Sequence, residues 1–256
     1  MSFTIVIPAR FDSSRLPGKP LMDIAGKPMI EWTWQQAKKS GAERIIIATE
    51  CENVKAVCEA FGAEVCLTGN HHQSGTERIA EVIDLSGISG DDIVVNVQGD
   101  EPMLPPELIH QVAEGLEIHH DISMATLCEP INDIQTVFDS NAVKVYRDFA
   151  NRAISFSRAP LPWSRDSFAE DNKTLPENWA YKRHIGLYAY RAGFVKQYVA
   201  WPECELERVE KLEQLRVLWH GEKILVLDAL CDAGVGVDTA EDLEKVRTLL
   251  SDISAE

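Results

Sequence analysis

The chain has 256 residues, 45% of them hydrophobic, enough to bury a large core in one α/β domain or in two small ones. Its 25 Lys and Arg stand against 41 Asp and Glu, for a formal net charge of −16. A field of that sign repels phosphate backbones, so nucleic acid and anionic membrane surfaces are poor partners.

The apolar run at 4–7 reads as a strand feeding a loop that carries Arg10, Arg15 and Lys19. Pro8, Pro17 and Pro20 restrict the loop, and Gly18 lets backbone approach a ligand closely. Three cations on one such loop want an anion, and a triphosphate is the natural guest. The bland alternative is a solvated basic loop, whose surface ion pairs contribute only about 0–1 kcal/mol each. A turn at 24–28 launches a helix over 29–39, which Gly41 stops. Residues 44–48 form a second strand, 52–61 a helix ended by Gly62, and 65–67 a third strand. After the loop 68–75 comes a helix over 76–85, then a strand at 93–97 apolar enough to be buried on both faces. Gln98-Gly99-Asp100-Glu101-Pro102 follows that strand, and 105–116 is helical. This alternation predicts an α/β fold with a doubly wound, mostly parallel sheet.

The second half is less regular. Strands at 123–128, 142–146, 153–157 and 185–190 with few helices between them predict a mixed sheet, and a smaller β-rich lobe inserted at about 129–200 within one domain spanning 1–256. Residues 161–181, rich in Pro, Trp and charge, read as a mobile loop. An amphipathic helix over 206–219 and a strand at 224–227 lead to Asp238-Thr239, which opens a terminal helix over 240–250 with acidic residues in its first turn. Cys51, Cys58, Cys66, Cys128, Cys204 and Cys231 include no C-x-x-C pair, sit mostly in apolar runs and read as reduced core thiols. The first residues lack a charged leader, and no apolar run approaches a membrane span, so a cytoplasmic protein is expected.

Asp100 follows a buried strand and a glycine, where a carboxylate reaches a ligand at the carboxyl edge of the sheet. Magnesium uses one or two such carboxylates plus substrate phosphates. Alone, Asp100 is equally a turn residue, and an Asp followed by Thr at a helix start, as at Asp238, is more often a cap than a metal ligand. Ser74-Gly75-Thr76-Glu77-Arg78 lies at another strand-to-helix junction, where hydroxyls and free amides hold a phosphate or a base edge; standing alone, the stretch reads as a plain N-cap. No G-x-x-x-x-G-K-[ST] and no G-x-G-x-x-G after the first strand is present, nor a nucleophile elbow or zinc-ligand spacing.

Taken in order, IPAR with SSRLPGKPL, HHQSGTERIAEV, VNVQGDEP, NAVKV, FSR, RHIGLYAYRAGF, LEKLEQLRVLWHGEKI and GVDTAEDLEKV run the length of the chain. In these segments it resembles the 3-deoxy-manno-octulosonate cytidylyltransferases, or CMP-Kdo synthetases, of the sugar nucleotidyltransferase group. The resemblance implies a Rossmann-like nucleotidyltransferase fold and transfer of CMP from CTP to the anomeric hydroxyl of Kdo, an acidic eight-carbon sugar, with release of pyrophosphate for lipopolysaccharide assembly. By similarity Arg10, Arg15 and Lys19 bind the triphosphate, and Ser74, Gly75 and Arg78 help place the cytidine. Gln98 and Asp100 then sit between nucleotide and sugar, with Asp100 and Asp238 holding Mg2+. Arg15, Lys19 and Asp100 are the implied catalytic set, and Arg158, His184, Tyr188, Glu213 and Gln214 the implied sugar pocket. The bland readings are core packing for His184 and Tyr188, and the polar side of a helix for Glu213 and Gln214.

Three positions depart from the family pattern: Asp139-Ser140-Asn141 where Asn-Pro-Asn is usual, Ser155 for Tyr, and Glu50 for Asp. The first two leave open the 8-amino-8-deoxy form of Kdo as the acceptor. Another ulosonic acid, such as a sialic acid, and a nucleotide-binding regulator that has lost catalysis are the remaining alternatives. Family members are commonly homodimers.

Overall fold

The computed structural model, which describes residues 1–11, 16–169 and 173–254, is organised by one sheet wound on both faces. β1 (Phe3–Pro8) leads through a 3₁₀ turn (Lys19–Leu21) and a small hairpin, β2 (Asp23–Ile24) and β3 (Lys27–Pro28), into α1 (Met29–Lys39). The alternating half continues with β4 (Arg44–Thr49), α2 (Glu52–Ala60), β5 (Glu64–Leu67), α3 (Gly75–Leu85), β6 (Ile93–Asn96) and α4 (Pro106–Ile118). Then come β7 (Met124–Pro130), α5 (Ile134–Phe138), β8 (Lys144–Arg147), β9 (Ala153–Ser157) and β10 (Lys182–Arg191). The last elements are α6 (Ala192–Ala200), α7 (Glu205–Glu210), α8 (Gln214–Trp219), β11 (Ile224–Asp228) and α9 (Ala240–Ser254).

The strand order is β11-β7-β10-β6-β1-β4-β5, with β8 and β9 branching from β10. β1 pairs in parallel with β4 and β6, and β4 with β5. β10 runs antiparallel to β6 and β7, which makes the sheet mixed as the sequence predicts. Successive residues of a strand face opposite sides, and here both sides are buried. Ile5, Ile7, Ile47 and Val95 pack under α1, α2 and α4 with Ile30, Val54 and Leu108. Val6, Ile46 and Val94 pack on the other face against Ile79, Val82, Phe194 and Leu215 from α3, α6 and α8. Each such side chain, fully withdrawn from water, contributes roughly 1.5–3 kcal/mol.

A third cluster, Ile24, Met29, Val237, Leu243, Val246 and Leu250, docks α9 on the β2–β3 hairpin. It matters for the site, because Val237 immediately precedes Asp238 and Ile24 lies just past Lys19.

Four expectations are corrected. The helix expected over 206–219 is two helices, broken at Lys211, which adopts a left-handed φ of 53°. The break buries Leu212, Leu215 and Val217 while leaving Leu206 and Val209 exposed. α6, within a stretch expected to hold few helices, buries Phe194, Val195 and Tyr198; its aromatic and β-branched content hid it. The 161–181 segment, expected to be mobile, is pinned at Phe168 and Tyr181, which are buried with Ile131 and Val137; residues 170–172 lie outside the description. No helix among the described residues is long and apolar enough to cross a membrane. All six cysteines are free thiols, but only Cys58, Cys128 and Cys204 lie in the core; Cys51 and Cys66 are half-buried and Cys231 is exposed, against the expectation of core thiols.

Candidate active site

β1, β4 and β6 all end at the same edge of the sheet, where a parallel arrangement collects its ligand-binding loops. Arg10 leaves β1 there, and its Nη2 is buried without a hydrogen-bond partner. Arg78, only 2% exposed, stands in the first turns of α3 and pairs through Nη2 with Glu50 Oε2 at 2.8 Å. Burial is the main cause that lowers the Arg78 pKa, while Glu50 raises it and Arg10 adds to the lowering. Ser74 caps α3, its Oγ accepting from the Glu77 N–H at 3.2 Å. Arg15, with Asp12, Ser13 and Ser14, lies outside the described residues.

Lys19 follows Gly18, whose φ of 71° turns the chain into the 3₁₀ segment. The Lys19 Nζ sits 2.5 Å from Asp100 Oδ2 and 3.7 Å from Asp238 Oδ1. The two aspartates meet because the Val237 N–H donates to the Asp100 carbonyl at 2.9 Å. Thr239 and Asp242 supply the cap of α9, with the Asp242 N–H donating to Thr239 Oγ1 at 3.2 Å. Asp238 is therefore not spent as a cap. The Glu101 carboxyl, half-buried next to this pair, is pushed up to about 7 by desolvation and then by the charges of Asp100 and Asp238. So negative a spot favours a cation.

Beside it opens a cavity of about 250 Å³ lined by Gln98, His184, Tyr188, Glu213 and Gln214, with Gly75 and Thr76 at its α3 wall. His184 bonds Thr126 Oγ1 at 3.0 Å, and desolvation, followed by the charge of Arg183, drives its imidazole down to about 3. It is neutral at physiological pH. Burial raises the Tyr188 hydroxyl well above its ordinary value. Glu213 accepts from Thr76 Oγ1 at 2.8 Å, and desolvation raises its carboxyl despite that bond. His184 and Tyr188 share this wall across an irregularity in the β10–β7 register, so simple alternation is not what aligns them.

Arg158 stands apart from the other sugar-pocket residues expected from the sequence. Its Nε donates to the Glu210 carbonyl at 2.7 Å and its Nη1 to the Ser140 carbonyl at 2.8 Å, and it does not line the cavity.

The family model for cytidylyltransferases matches residues 4–224. The chain belongs to the cytidylyltransferase family. This cytidylyltransferase is 72% identical to "3-deoxy-manno-octulosonate cytidylyltransferase 1" of Hydrogenovibrio crunogenus over 254 residues, 99% of this chain and 98% of that protein. It is 58% identical to the 3-deoxy-manno-octulosonate cytidylyltransferase of Pseudomonas fluorescens, over 97% of this chain and 98% of the relative. Among solved structures, CMP:2-keto-3-deoxy-manno-octonic acid synthetase complexed with CTP superposes with a TM-score of 0.89 at 38% identity, covering 98% of this chain and 99% of that one. A 4-diphosphocytidyl-2C-methyl-D-erythritol synthase, at 14% identity, TM-score 0.64 and coverage of 98% and 99%, shares the fold.

The cytidylyltransferase's cavity also uses residues that the sequence reading passed over. Asn96 is buried with Oδ1 unpaired, and Thr76 and Tyr190 line the same cavity. A signal existed for Asn96: it ends a strand that is otherwise apolar and buried on both faces. Thr76 lies within the 74–78 junction, although nothing there points to its bond with Glu213; Tyr190 carried no signal, since a tyrosine in a strand is ordinary.

Proposed function

We propose that this enzyme transfers CMP from CTP to the anomeric hydroxyl of 3-deoxy-D-manno-octulosonate, releasing pyrophosphate and forming CMP-Kdo for lipopolysaccharide assembly. The observation that carries the reading is a cavity of about 250 Å³ lined in part by Gln98, two residues before the Asp100 carboxylate that meets Lys19 and Asp238. Arg10, Arg15 and Lys19 bind the triphosphate in this reading, while Ser74, Gly75 and Arg78 order the cytidine side.

The donor set suits magnesium. Asp100 and Asp238 are hard oxygen donors whose side chains are 35% and 67% exposed. Magnesium commonly takes one or two carboxylates and completes its shell with substrate phosphates and water. When bound, magnesium would neutralise charge on the phosphates and ease deprotonation of the attacking hydroxyl. Lys19 then holds phosphate charge, and Arg10 orients the chain of phosphates for in-line attack. The new bond joins the sugar's C2 oxygen to the α-phosphorus; the bond from the α-phosphorus to the α,β-bridging oxygen breaks, and pyrophosphate leaves. His184, neutral and fixed on Thr126, is a hydrogen-bonding partner for the sugar rather than a charge. Positioning and charge stabilisation carry such transfers, so no dedicated base is required of the chain.

Residues 129–200 are read as the sugar-binding and dimerisation lobe of a cytoplasmic homodimer. Support for the dimer comes from exposed apolar side chains in that segment: Phe138, Phe149, Ile154, Trp163 and Trp179. Sedimentation of the full chain tests it, with a monomer at micromolar concentration as the contrary result. The catalytic reading is tested by pyrophosphate release with CTP, Mg2+ and one of three acceptors: Kdo, its 8-amino-8-deoxy analogue or a sialic acid. The highest kcat/KM is expected with Kdo. Preference for the analogue would assign the altered Asp139-Ser140-Asn141 segment, whose Ser140 carbonyl holds Arg158, to acceptor choice. Release with none of them would overturn the reading.

A further inference from the structure

We propose that Glu50 is a positioning residue that sets the triphosphate-binding loop and the cytidine-binding helix against each other; this rests on the nucleotide-site reading above. Glu50 leaves the carboxyl end of β4, between β1 and β5, and uses its two oxygens in two directions. Oε1 accepts from the Phe11 N–H at 2.9 Å, and Oε2 pairs with Arg78 Nη2 at 2.8 Å.

Each partner controls one half of the site. The Phe11 carbonyl accepts from the Gly18 N–H at 3.1 Å, so Phe11 closes the loop whose far end presents Lys19. Arg78 also donates to Thr68 Oγ1 and belongs to the helix whose start carries Ser74 and Gly75. Arg10 lies near enough to Arg78 to lower its pKa, so a second guanidinium stands close to the one that Glu50 pairs with. Without that carboxylate two cations would stand together in a partly desolvated place and move apart. With it, the Arg10 Nη2, buried and unpartnered, stays aimed at a site for phosphate.

The sign of the effect separates positioning from simple charge. A carboxylate that acts only as a charge repels a triphosphate, and its removal tightens binding. A carboxylate that holds the cations in place weakens binding when removed. Calorimetric titration of the full-length protein with CTP, for Glu50→Gln, Glu50→Ala and Arg10→Ala, reads that sign. Glu50→Gln keeps the shape and the Phe11 bond, so it serves if Glu50→Ala fails to fold. Weakening of about tenfold is expected for Glu50→Gln and more for Glu50→Ala. The KM for the acidic sugar at saturating CTP should stay within about twofold of the parent value. CTP binding by Glu50→Gln equal to or tighter than the parent's, with Arg10→Ala impaired, overturns the proposal. So does a parallel rise in KM for both substrates alongside a fallen melting temperature. An Arg10→Ala variant that binds CTP like the parent overturns the nucleotide-site reading instead.

Discussion

At the scale of single residues, the chemistry depends on groups held in one protonation state. The Asp100 carboxyl lies against the Lys19 Nζ, 2.5 Å away. Asp100→Asn preserves the outline and removes the charge, so turnover measured by pyrophosphate release should fall by orders of magnitude. CTP binding without sugar should change far less, and an Asn variant with parental turnover would end the metal-holding role. His184 offers a pH test. Its folded pKa of about 3 lies below the ordinary 6.5, so the stability it contributes is complete above about pH 6.5 and is lost as pH falls toward 3. Glu101 works the other way: raised to about 7 in the folded protein, it contributes stability below about pH 4.5 that is lost as pH rises through 7. The difference between parent and His184→Gln isolates the histidine. Thermal unfolding of the parent should lose about 2 kcal/mol more than the variant's between pH 7 and pH 5. Equal slopes would show the imidazole titrating normally.

At the scale of elements, the site depends on close approach at strand and helix ends. A Cβ on Gly99 would come within 2.8 Å of the Pro8 carbonyl oxygen, where the exits of β6 and β1 converge under Arg10 and Asp100. The obstacle is backbone, which does not swing aside. Gly99→Ala should therefore cost about 1–3 kcal/mol in denaturant unfolding and reduce CTP affinity with it. Parental stability would mean that the two loops move independently. The break between α7 and α8 has a comparable role. A continuous helix would carry the 213–214 pair past the cavity, whereas the left-handed turn at Lys211 brings Glu213 onto Thr76 and buries Gln214.

At the scale of the whole molecule, one sheet is shared by two cores, so neither can melt while the other persists. Ile46 and Ile47 are neighbours on β4 that serve opposite faces, and both are fully buried. Ile46→Ala and Ile47→Ala should each cost about 2–5 kcal/mol and should each shift a single unfolding transition. Two transitions, with only one moved by each variant, would mean that the faces unfold separately. The charge balance acts at this scale too. A net charge of −16 leaves the loop cations as a local exception, and a local field of that kind steers an anionic nucleotide to one edge of the sheet.

The sequence by itself determined the elements whose signals are local. β-branched runs bounded by glycines gave parallel strands, hydrophobic periodicity gave α1 to α4, and cations after an apolar strand marked the anion-binding edge. Family segments added the reaction and candidate residues. Only the tertiary structure decided which polar groups meet. Asp238 reaches Asp100 through a backbone bond from Val237, after α9 docks on the hairpin beyond Lys19. Arg158 is held by two carbonyls away from the cavity, and Glu50 joins segments that the sequence keeps far apart. The reason is physical: propensity and periodicity act over a few residues, while ion pairs and hydrogen bonds need distances near 3 Å that only sheet order and packing can supply.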